Sequence, residues 1–251
     1  MRSRILGIIP ARFASSRFPG KALASIAGKP MVQHVYERAC LSRYMSDVLV
    51  ATDDHRIFEA VKAFGGRVRL TNPDHPSGTD RLAEVASSES AAIYVNIQGD
   101  EPLIDPEAID AAILAVTDHE DVAMGTLKKR IADPADVLNP NVVKVVTNLI
   151  GDAIYFSRSP IPYERDGGSV PIYFKHVGLY VYRADLVTRY PDLPVGPLEQ
   201  AERLEQLRAL ENGFRIRVIE TEYESLGVDT PDDLERVNQL FTVCAESVGY
   251  S

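Results

Sequence analysis

The first half of the chain alternates between apolar runs and segments whose apolar residues recur at helical spacing. The continuous apolar run at residues 5–9 is typical of a strand that is buried on both faces of a parallel sheet. Further strands are predicted at residues 48–51, 68–70 and 93–97. The spacing of apolar residues predicts helices at 31–43, 57–64, around 82–86 and at 106–116. This alternating order predicts a wound, mostly parallel α/β sheet.

The middle of the chain has a different pattern, which predicts a smaller β-rich excursion at residues 130–182. Two apolar segments joined through Gly151-Asp152 predict a hairpin, and a further strand follows a stretch rich in Pro and Gly. We expect the α/β body to comprise residues 1–129 and 183–251. The predicted elements are strands at 142–148, 153–156, 173–182 and 214–219, and helices at about 198–211 and from Thr230-Pro231 onward.

Composition places the chain among ordinary globular proteins. It has 251 residues, of which 45% are hydrophobic and 25% charged, so a sizeable core is expected without stabilising disulfides. The two cysteines, Cys40 and Cys244, argue against a disulfide framework or a cysteine metal cage and favour a reducing compartment. Neither a secretory signal nor a membrane-spanning run is predicted. We therefore expect a cytoplasmic protein without a membrane partner.

The charge distribution separates one basic segment from an acidic remainder. The net charge of −9 argues against a nucleic acid partner, because such surfaces must attract phosphate over a wide area. Residues 1–36 nevertheless contain six Lys and Arg and no Asp or Glu. Chance surface charge is one explanation of this segment, and a local anion site is the other.

The loop after the first predicted strand favours the anion site. It runs from Pro10 to Lys21, and ligands of open α/β sheets bind beyond the carboxyl ends of the strands. It matches neither the Walker A pattern nor the GxGxxG dinucleotide pattern. Its three cations and two hydroxyls are suited to a polyphosphate, and they belong to Arg12, Arg17, Lys21, Ser15 and Ser16.

Two further places carry candidate chemistry. Asp100 follows a buried strand, where it could reach the same crevice or merely start a turn, and Asp229 precedes a helix that a carboxylate would favour electrostatically. In the strand near residue 180, Val177, Leu179 and Val181 share one face. The other face, formed by His176, Gly178 and Tyr180, could line a ligand pocket or simply meet solvent.

Several collinear segments make the sequence similar to the sugar nucleotidyltransferases, and specifically to the 3-deoxy-manno-octulosonate cytidylyltransferases. Together they span nearly the whole chain, and the Lys175-His176-Val177-Gly178 block separates this group from other nucleotidyltransferases. The segments are residues 9–21, 75–81, 95–102, 157–162, 175–180, 204–208 and 227–231. The resemblance implies a nucleotidyltransferase fold of Rossmann-like type and a reaction of CTP with 3-deoxy-D-manno-octulosonate (Kdo).

The resemblance also implies a role for each matching residue. Arg12, Lys21, Asp100 and Asp229 would be catalytic, and the two aspartates would bind Mg²⁺ as the cofactor, a hard cation suited to carboxylate and phosphate oxygens. The nucleotide would contact Ala11, Arg12, Ser15, Ser16, Lys21, Ser77, Gly78 and Gly99. The sugar acid would contact Arg17, Gln98, Arg158, His176, Tyr180, Glu205 and Gln206. A homodimer formed through the excursion and a place in lipopolysaccharide synthesis are further implications.

Three alternatives remain open at this point. A related enzyme could activate a nine-carbon sialic acid, although the segments at 157–162 and 175–180 favour the octulosonate group. An enzyme specific for 8-amino-Kdo is another possibility, as is a catalytically silent nucleotide sensor on the same fold. A sensor would be expected to lack Lys21, Asp100 or Asp229, and all three are present.

Overall fold

The computed structural model describes residues 3–14, 18–75, 77–165 and 171–248. In chain order the first elements are β1 (Ile5–Ala11), β2 (Ser25–Ile26), β3 (Lys29–Pro30), α1 (Met31–Ala39), β4 (Asp47–Thr52), α2 (His55–Ala63), β5 (Val68–Leu70), α3 (Gly78–Ala86), β6 (Ile93–Asn96) and α4 (Pro106–Thr117). They continue with β7 (Met124–Arg130), α5 (Pro134–Leu138), β8 (Lys144–Thr147), β9 (Ala153–Ser157), β10 (Phe174–Arg183), α6 (Ala184–Arg189), α7 (Pro197–Glu202), α8 (Gln206–Glu211), β11 (Ile216–Glu220) and α9 (Pro231–Val248).

The chain divides into two compact units, and the boundary falls within α4. The first unit contains Met1–Ile109 and Ser225–Ser251, and the second contains Asp110–Glu224. The region predicted as an excursion, 130–182, lies inside the second unit. None of the described helices combines the length and apolar character required to cross a membrane.

The first unit is built on a parallel sheet in the order β6-β1-β4-β5. Strand β1 is central, and all but one of its seven residues are buried. Helices pack against the sheet, and two of them begin at side-chain caps. The Asp54 carboxylate accepts from the Arg56 amide at the start of α2, and the Ser77 hydroxyl accepts from the Asp80 amide at the start of α3. This arrangement confirms the predicted wound α/β fold.

The second unit contains a mixed sheet. Strand β7 pairs in parallel with β11 and antiparallel with β10. Strands β8 and β9 form the predicted hairpin, with Val145 opposite Phe156. Along β10 the buried residues Val177, Leu179 and Val181 lie in the predicted alternation, because successive side chains of a strand point to opposite faces.

Some boundaries and elements differ from the predictions. The predicted helix at 198–211 is wrong as a single element: Arg203 adopts a left-handed conformation with φ of 55°, which ends α7 and separates it from α8. The predicted helix at 31–43 stops at Ala39. Five elements were not predicted, namely β2, β3, β7, α5 and α6. Strands β2 and β3 have only two residues each, and the apolar residues of the other three show neither a clear helical nor a clear strand period.

Candidate active site

The first unit contains a cavity at the point where the strand order reverses. Strands β4 and β5 extend the sheet on one side of β1, whereas β6 lies on the other side. Such a reversal opens a crevice beyond the carboxyl ends of the two neighbouring strands, which is where open α/β sheets bind ligands. The cavity has a volume of about 400 Å³ and is lined by Pro10, Ala11, Arg12, Ala14, Lys21, Ala22, Gly78, Gln98, Gly99, Asp100 and Asp229.

Gly99 allows the two loops of this crevice to approach each other closely. A Cβ atom at position 99 would lie 2.6 Å from the carbonyl oxygen of Pro10, a distance that backbone atoms do not tolerate. The absence of a side chain therefore lets the loop after β6 pack directly on the end of β1. Gln98 and Asp100, the two neighbours of Gly99, both line the cavity.

The loop after β1 is closed by a backbone contact. The amide of Gly20 donates to the carbonyl of Phe13 at 2.8 Å, and Gly20 adopts a left-handed conformation with φ of 74°. The guanidinium of Arg56 lies over the Phe13 ring, 3.3 Å from its centroid. Lys21 directly follows Gly20 and begins a short 3₁₀ helix, so the position of its Cα atom is fixed by the backbone on both sides. The predicted nucleotide contacts Ser15 and Ser16 and the predicted sugar contact Arg17 lie outside the described residues.

Lys21 joins the two candidate metal ligands. Its Nζ donates to Asp100 Oδ2 at 2.6 Å, to Asp229 Oδ1 at 2.9 Å and to the carbonyl of Val228 at 3.2 Å. Burial by itself lowers the pKa of the Lys21 ammonium, but the charges and hydrogen bonds of the two carboxylates outweigh burial, and the pKa is raised. The ammonium is therefore charged at neutral pH.

Helix α9 and its flanking loop hold Asp229 in this position. The amide of Val228 donates to the carbonyl of Asp100 at 2.8 Å, which fixes the spacing between the two aspartates. The carboxylate of Asp233 accepts from the amides of Asp229 and Thr230, as in a capping box at a helix N-terminus. The Val228 side chain anchors the loop in an apolar cluster with Ile26, Met31 and Val237.

The oxygen atoms around Lys21 Nζ fit a hard cation. Two carboxylates from different loops and one carbonyl already surround one positive charge, and one or two carboxylates with substrate phosphates are the usual protein ligands of Mg²⁺. No cluster of three or more His, Cys, Asp or Glu suited to a metal is found among the described residues. The donor chemistry thus fits Mg²⁺ shared with a phosphate better than a closed protein cage.

The remaining nucleotide candidates surround the same cavity. Gly78 begins α3 and lines the cavity, so the positive end of this helix faces the space beside it. The Ser77 hydroxyl donates to the Asp80 carboxylate at 2.6 Å, and Ser77 is not among the lining residues. Arg12 lies close enough to the fully buried Arg81 for its charge to lower the Arg81 pKa, after burial itself as the larger cause.

The second unit gathers three of the predicted sugar contacts. The ring centroids of His176 and Tyr180 lie 5.3 Å apart on the same face of β10. The Tyr180 hydroxyl donates to Gln206 Oε1 at 3.2 Å. Burial raises the pKa of Tyr180 well above its ordinary value, so its hydroxyl stays protonated. Gln206 is buried, and its Nε2 has no hydrogen-bond partner among the described residues. This buried donor is therefore available to a ligand or a water molecule.

Arg158 and Glu205 are held by backbone contacts in the same unit. Arg158 Nε donates to the Glu202 carbonyl at 2.7 Å, and its amide donates to Glu202 Oε2 at 2.9 Å. The Glu205 carbonyl accepts from the Tyr190 hydroxyl at 2.6 Å, next to the break between α7 and α8. Glu202, which sequence reasoning missed, therefore fixes Arg158, and no local pattern marks it because its partner is distant in sequence.

The structure thus brings together two sets of predicted residues, one in each unit. The cavity set contains Ala11, Arg12, Lys21, Gly78, Gln98, Gly99, Asp100 and Asp229. The second set contains His176, Tyr180 and Gln206. The ligands assigned to both sets stay predictions.

A match to a family model identifies the class of protein. The family model described as cytidylyltransferase matches residues 6–218, a range that begins within β1 and ends within β11. A fold with a cationic crevice at its switch point and this match defines a nucleotidyltransferase of the cytidylyltransferase class.

Individual relatives identify the family within this class. The chain is 68% identical over 241 residues to the 3-deoxy-manno-octulosonate cytidylyltransferase of Solibacter usitatus, covering 96% of both chains. It is 61% identical to the enzyme of the same name from Geobacter sulfurreducens, covering 93% of this chain and 97% of the relative. A solved structure of CMP:2-keto-3-deoxy-manno-octonic acid synthetase complexed with CTP has a TM-score of 0.92 and 48% identity, covering 96% of this chain and 99% of that one. The chain belongs to the 3-deoxy-manno-octulosonate cytidylyltransferase family, which confirms the resemblance found in the sequence.

Proposed function

We propose that this chain transfers the cytidylyl group of CTP to Kdo, giving CMP-Kdo and pyrophosphate. The observation that carries the proposal is the convergence of Lys21, Asp100 and Asp229 at the switch-point cavity. A triphosphate needs cations near its leaving end and a site for a divalent ion, and this cavity has residues suited to both. Family membership supplies the identity of the two substrates.

The reaction is a displacement at the α-phosphorus of CTP. The anomeric hydroxyl of the sugar acid forms the new phosphorus–oxygen bond and loses its proton, while the bond to the β-phosphate breaks and pyrophosphate leaves. Arg12 and Lys21 would stabilise the charge that accumulates on the phosphate oxygens and on pyrophosphate. The catalytic contribution is positioning and preorganised charge, without a covalent enzyme intermediate.

Asp100 and Asp229 would hold Mg²⁺ as the cofactor. When bound, the ion supplies Lewis-acid polarisation of the phosphate oxygens. The hydrogen bonds of the Val228 amide and of the Asp233 carboxylate hold the two aspartates next to each other without the ion. Because Lys21 contacts both aspartates, it would keep them paired with positive charge when CTP is absent.

The sugar acid would be recognised by residues of the second unit. Arg158 and the buried amide of Gln206 are donors suited to oxygen atoms of the substrate. Tyr180 is held by Gln206, which would fix the direction of its hydroxyl. These groups can distinguish an eight-carbon sugar acid from a neutral hexose by its carboxylate and hydroxyls.

One assay separates this function from the alternatives. Pyrophosphate release from CTP is measured with Mg²⁺ and, in turn, Kdo, 8-amino-Kdo, a nine-carbon sialic acid or no acceptor. We expect rapid pyrophosphate release only when Kdo is the acceptor. Preference for sialic acid or 8-amino-Kdo would contradict the proposed substrate, and CTP binding without release would indicate a nucleotide sensor.

We also infer a homodimer that joins through the predicted excursion. In its support, a groove of about 420 Å³ in the second unit is largely apolar and includes the exposed side chains of Leu138 and Ile172. Apolar side chains grouped in this way on a surface are typical of protein interfaces. The molecular mass in solution of the wild type and of Leu138→Glu tests this inference: we expect a dimer that the substitution weakens.

A cytoplasmic location and a role in lipopolysaccharide synthesis complete the proposal. The low cysteine content suits a reducing compartment, and the activated sugar acid is a building block for that polysaccharide. Deletion of the gene should deplete Kdo-containing lipopolysaccharide, and cell fractionation should recover the protein with the cytoplasm.

A further inference from the structure

Strand β10 contains an irregularity opposite Thr126 of β7. Val177 pairs with Leu127 and Val181 pairs with Gly125, so β10 has three residues where β7 has only Thr126. Extra residues in one strand bend its backbone and redirect its side chains, and such bulges often occur next to active sites. The irregularity lies within the predicted ligand-facing segment from His176 to Tyr180.

The Thr126 side chain fills this irregularity. It is fully buried, and its Oγ1 lies 2.8 Å from the Leu179 carbonyl oxygen and 3.2 Å from the Val177 carbonyl oxygen. The same Oγ1 lies 2.8 Å from His176 Nε2. One hydroxyl therefore lies within hydrogen-bond distance of two backbone carbonyls and one imidazole nitrogen.

The number of protons determines the direction of these hydrogen bonds. A threonine hydroxyl has one proton, and the two carbonyls can only accept. If the hydroxyl donated to His176, its oxygen would face two carbonyl oxygens within 3.2 Å without a proton between them. The hydroxyl must therefore donate to a carbonyl, of which Leu179 is the closer, and accept from His176 Nε2–H.

We propose that Thr126 is a positioning residue that holds His176 as its Nε2–H tautomer, so that Nδ1 is left as an acceptor for a hydroxyl of the sugar acid. The proposal rests on the proposed function, because it assigns a role within the sugar site. Within the described residues, Nδ1 has no hydrogen-bond partner of its own. The Phe156 ring packs against the imidazole by its edge, 5.0 Å between centroids, and helps to fix the ring plane.

The surroundings of the ring agree with a neutral acceptor. Burial lowers the pKa of His176 from 6.5 to about 3, so the ring is uncharged at neutral pH. A neutral imidazole with a bare Nδ1 repels a carboxylate and accepts from a hydroxyl. The carboxylate of the sugar acid must then be bound by donors elsewhere, such as a guanidinium.

The tautomer can be measured without substrate. In the full-length enzyme labelled with ¹⁵N-histidine, with His176 assigned by its loss in His176→Gln, we expect the nitrogen shifts of an Nε2–H imidazole at neutral pH. Thr126→Ser should retain these shifts, whereas Thr126→Val, which has the same shape but no hydroxyl, should give a mixture of tautomers. A protonated His176, or an Nδ1–H tautomer in the wild type, would overturn the proposal.

Kinetics test the consequence for sugar binding. Thr126→Val should raise the KM for Kdo by about tenfold, the worth of one hydrogen bond, and leave the KM for CTP unchanged. Thr126→Ser should restore the wild-type value, and Thr188→Val on the exposed surface of α6 serves as the matched control. An unchanged KM for Kdo in Thr126→Val would also overturn the proposal. If the wild type does not use Kdo, the proposed function fails, but the nitrogen shifts still decide whether Thr126 sets the tautomer.

Discussion

Asp100 and Asp229 accept hydrogen bonds from the same nitrogen, Lys21 Nζ, at 2.6 and 2.9 Å. Asp100 follows β6 and Asp229 precedes α9, so the fold, and not nearness in sequence, brings the two carboxylates together. Two carboxylates this close repel each other unless a cation lies between them. In this structure the Lys21 ammonium is that cation, and in the proposed reaction Mg²⁺ would take its place between the two carboxylates.

Loss of the Asp100 charge should remove most of the activity. We expect Asp100→Asn to lower the rate of pyrophosphate release roughly 10²- to 10³-fold, because a preorganised charge near the reacting phosphate is lost. The rate is measured with saturating CTP, Mg²⁺ and Kdo. Asp232→Asn, the same change at an exposed position in the first turn of α9, should retain wild-type activity. Normal turnover by Asp100→Asn would show that the metal assignment is wrong.

A methyl group at position 178 should interfere with the sugar and not with folding. A Cβ atom added to Gly178 meets no atom within 4 Å, so Gly178→Ala should fold normally. The added methyl group would occupy space meant for substrate, and kcat/KM for Kdo should fall about 10- to 200-fold. At Gly125, by contrast, the new Cβ would lie 2.9 Å from the Ala112 carbonyl, so Gly125→Ala should lower the melting temperature. Unchanged kcat/KM in Gly178→Ala would remove this face of β10 from the sugar site.

The depressed pKa of His176 predicts a pH dependence of stability. The unfolded chain binds a proton on this histidine near pH 6.5, whereas the folded protein does so only near pH 3. Its contribution to stability is therefore complete above pH 6.5 and is lost as the pH falls towards 3, by about 1.4 kcal/mol per pH unit. Urea unfolding between about pH 6 and 4 should show a steeper loss of stability in the wild type than in His176→Gln, and the difference between the two slopes isolates this histidine from the carboxyl groups that also titrate. His55→Gln, a change at an exposed site, should keep the wild-type slope. Equal slopes in wild type and His176→Gln would contradict the prediction.

The buried guanidinium of Arg81 should depend on Asp53. Arg81 is fully buried, and its Nη2 donates to Asp53 Oδ2 at 2.8 Å. Asp53→Ala leaves this charge unpaired and should lower the free energy of unfolding by roughly 3–5 kcal/mol. Asp54→Ala, which removes the cap of α2 and an exposed ion pair with Arg56, should cost about 1 kcal/mol. Chemical denaturation of both variants measures the difference, and equal losses would show that the ion pair contributes little.

Sequence patterns predicted the elements that position the site. The apolar runs predicted β1, β4 and β6, and the basic loop from Pro10 to Lys21 predicted an anion site at the end of β1, because both are local properties of the chain. The break at Arg203 could not be predicted, since an arginine in a left-handed conformation depends on the surrounding structure and not on its own preference. The hydroxyl of Thr126 likewise has no sequence signal, because its partners are set by the register between β7 and β10.

The sequence by itself determined the alternating α/β architecture, the cationic loop and the family, because hydrophobic periodicity and collinear motifs are readable one residue after another. Only the tertiary structure decided that Lys21 contacts both aspartates, that Arg158 is held by Glu202 and that one threonine hydroxyl serves His176. These contacts join residues that are distant in sequence, and their distances depend on strand order, loop closure and register, which follow from the packing of the whole unit.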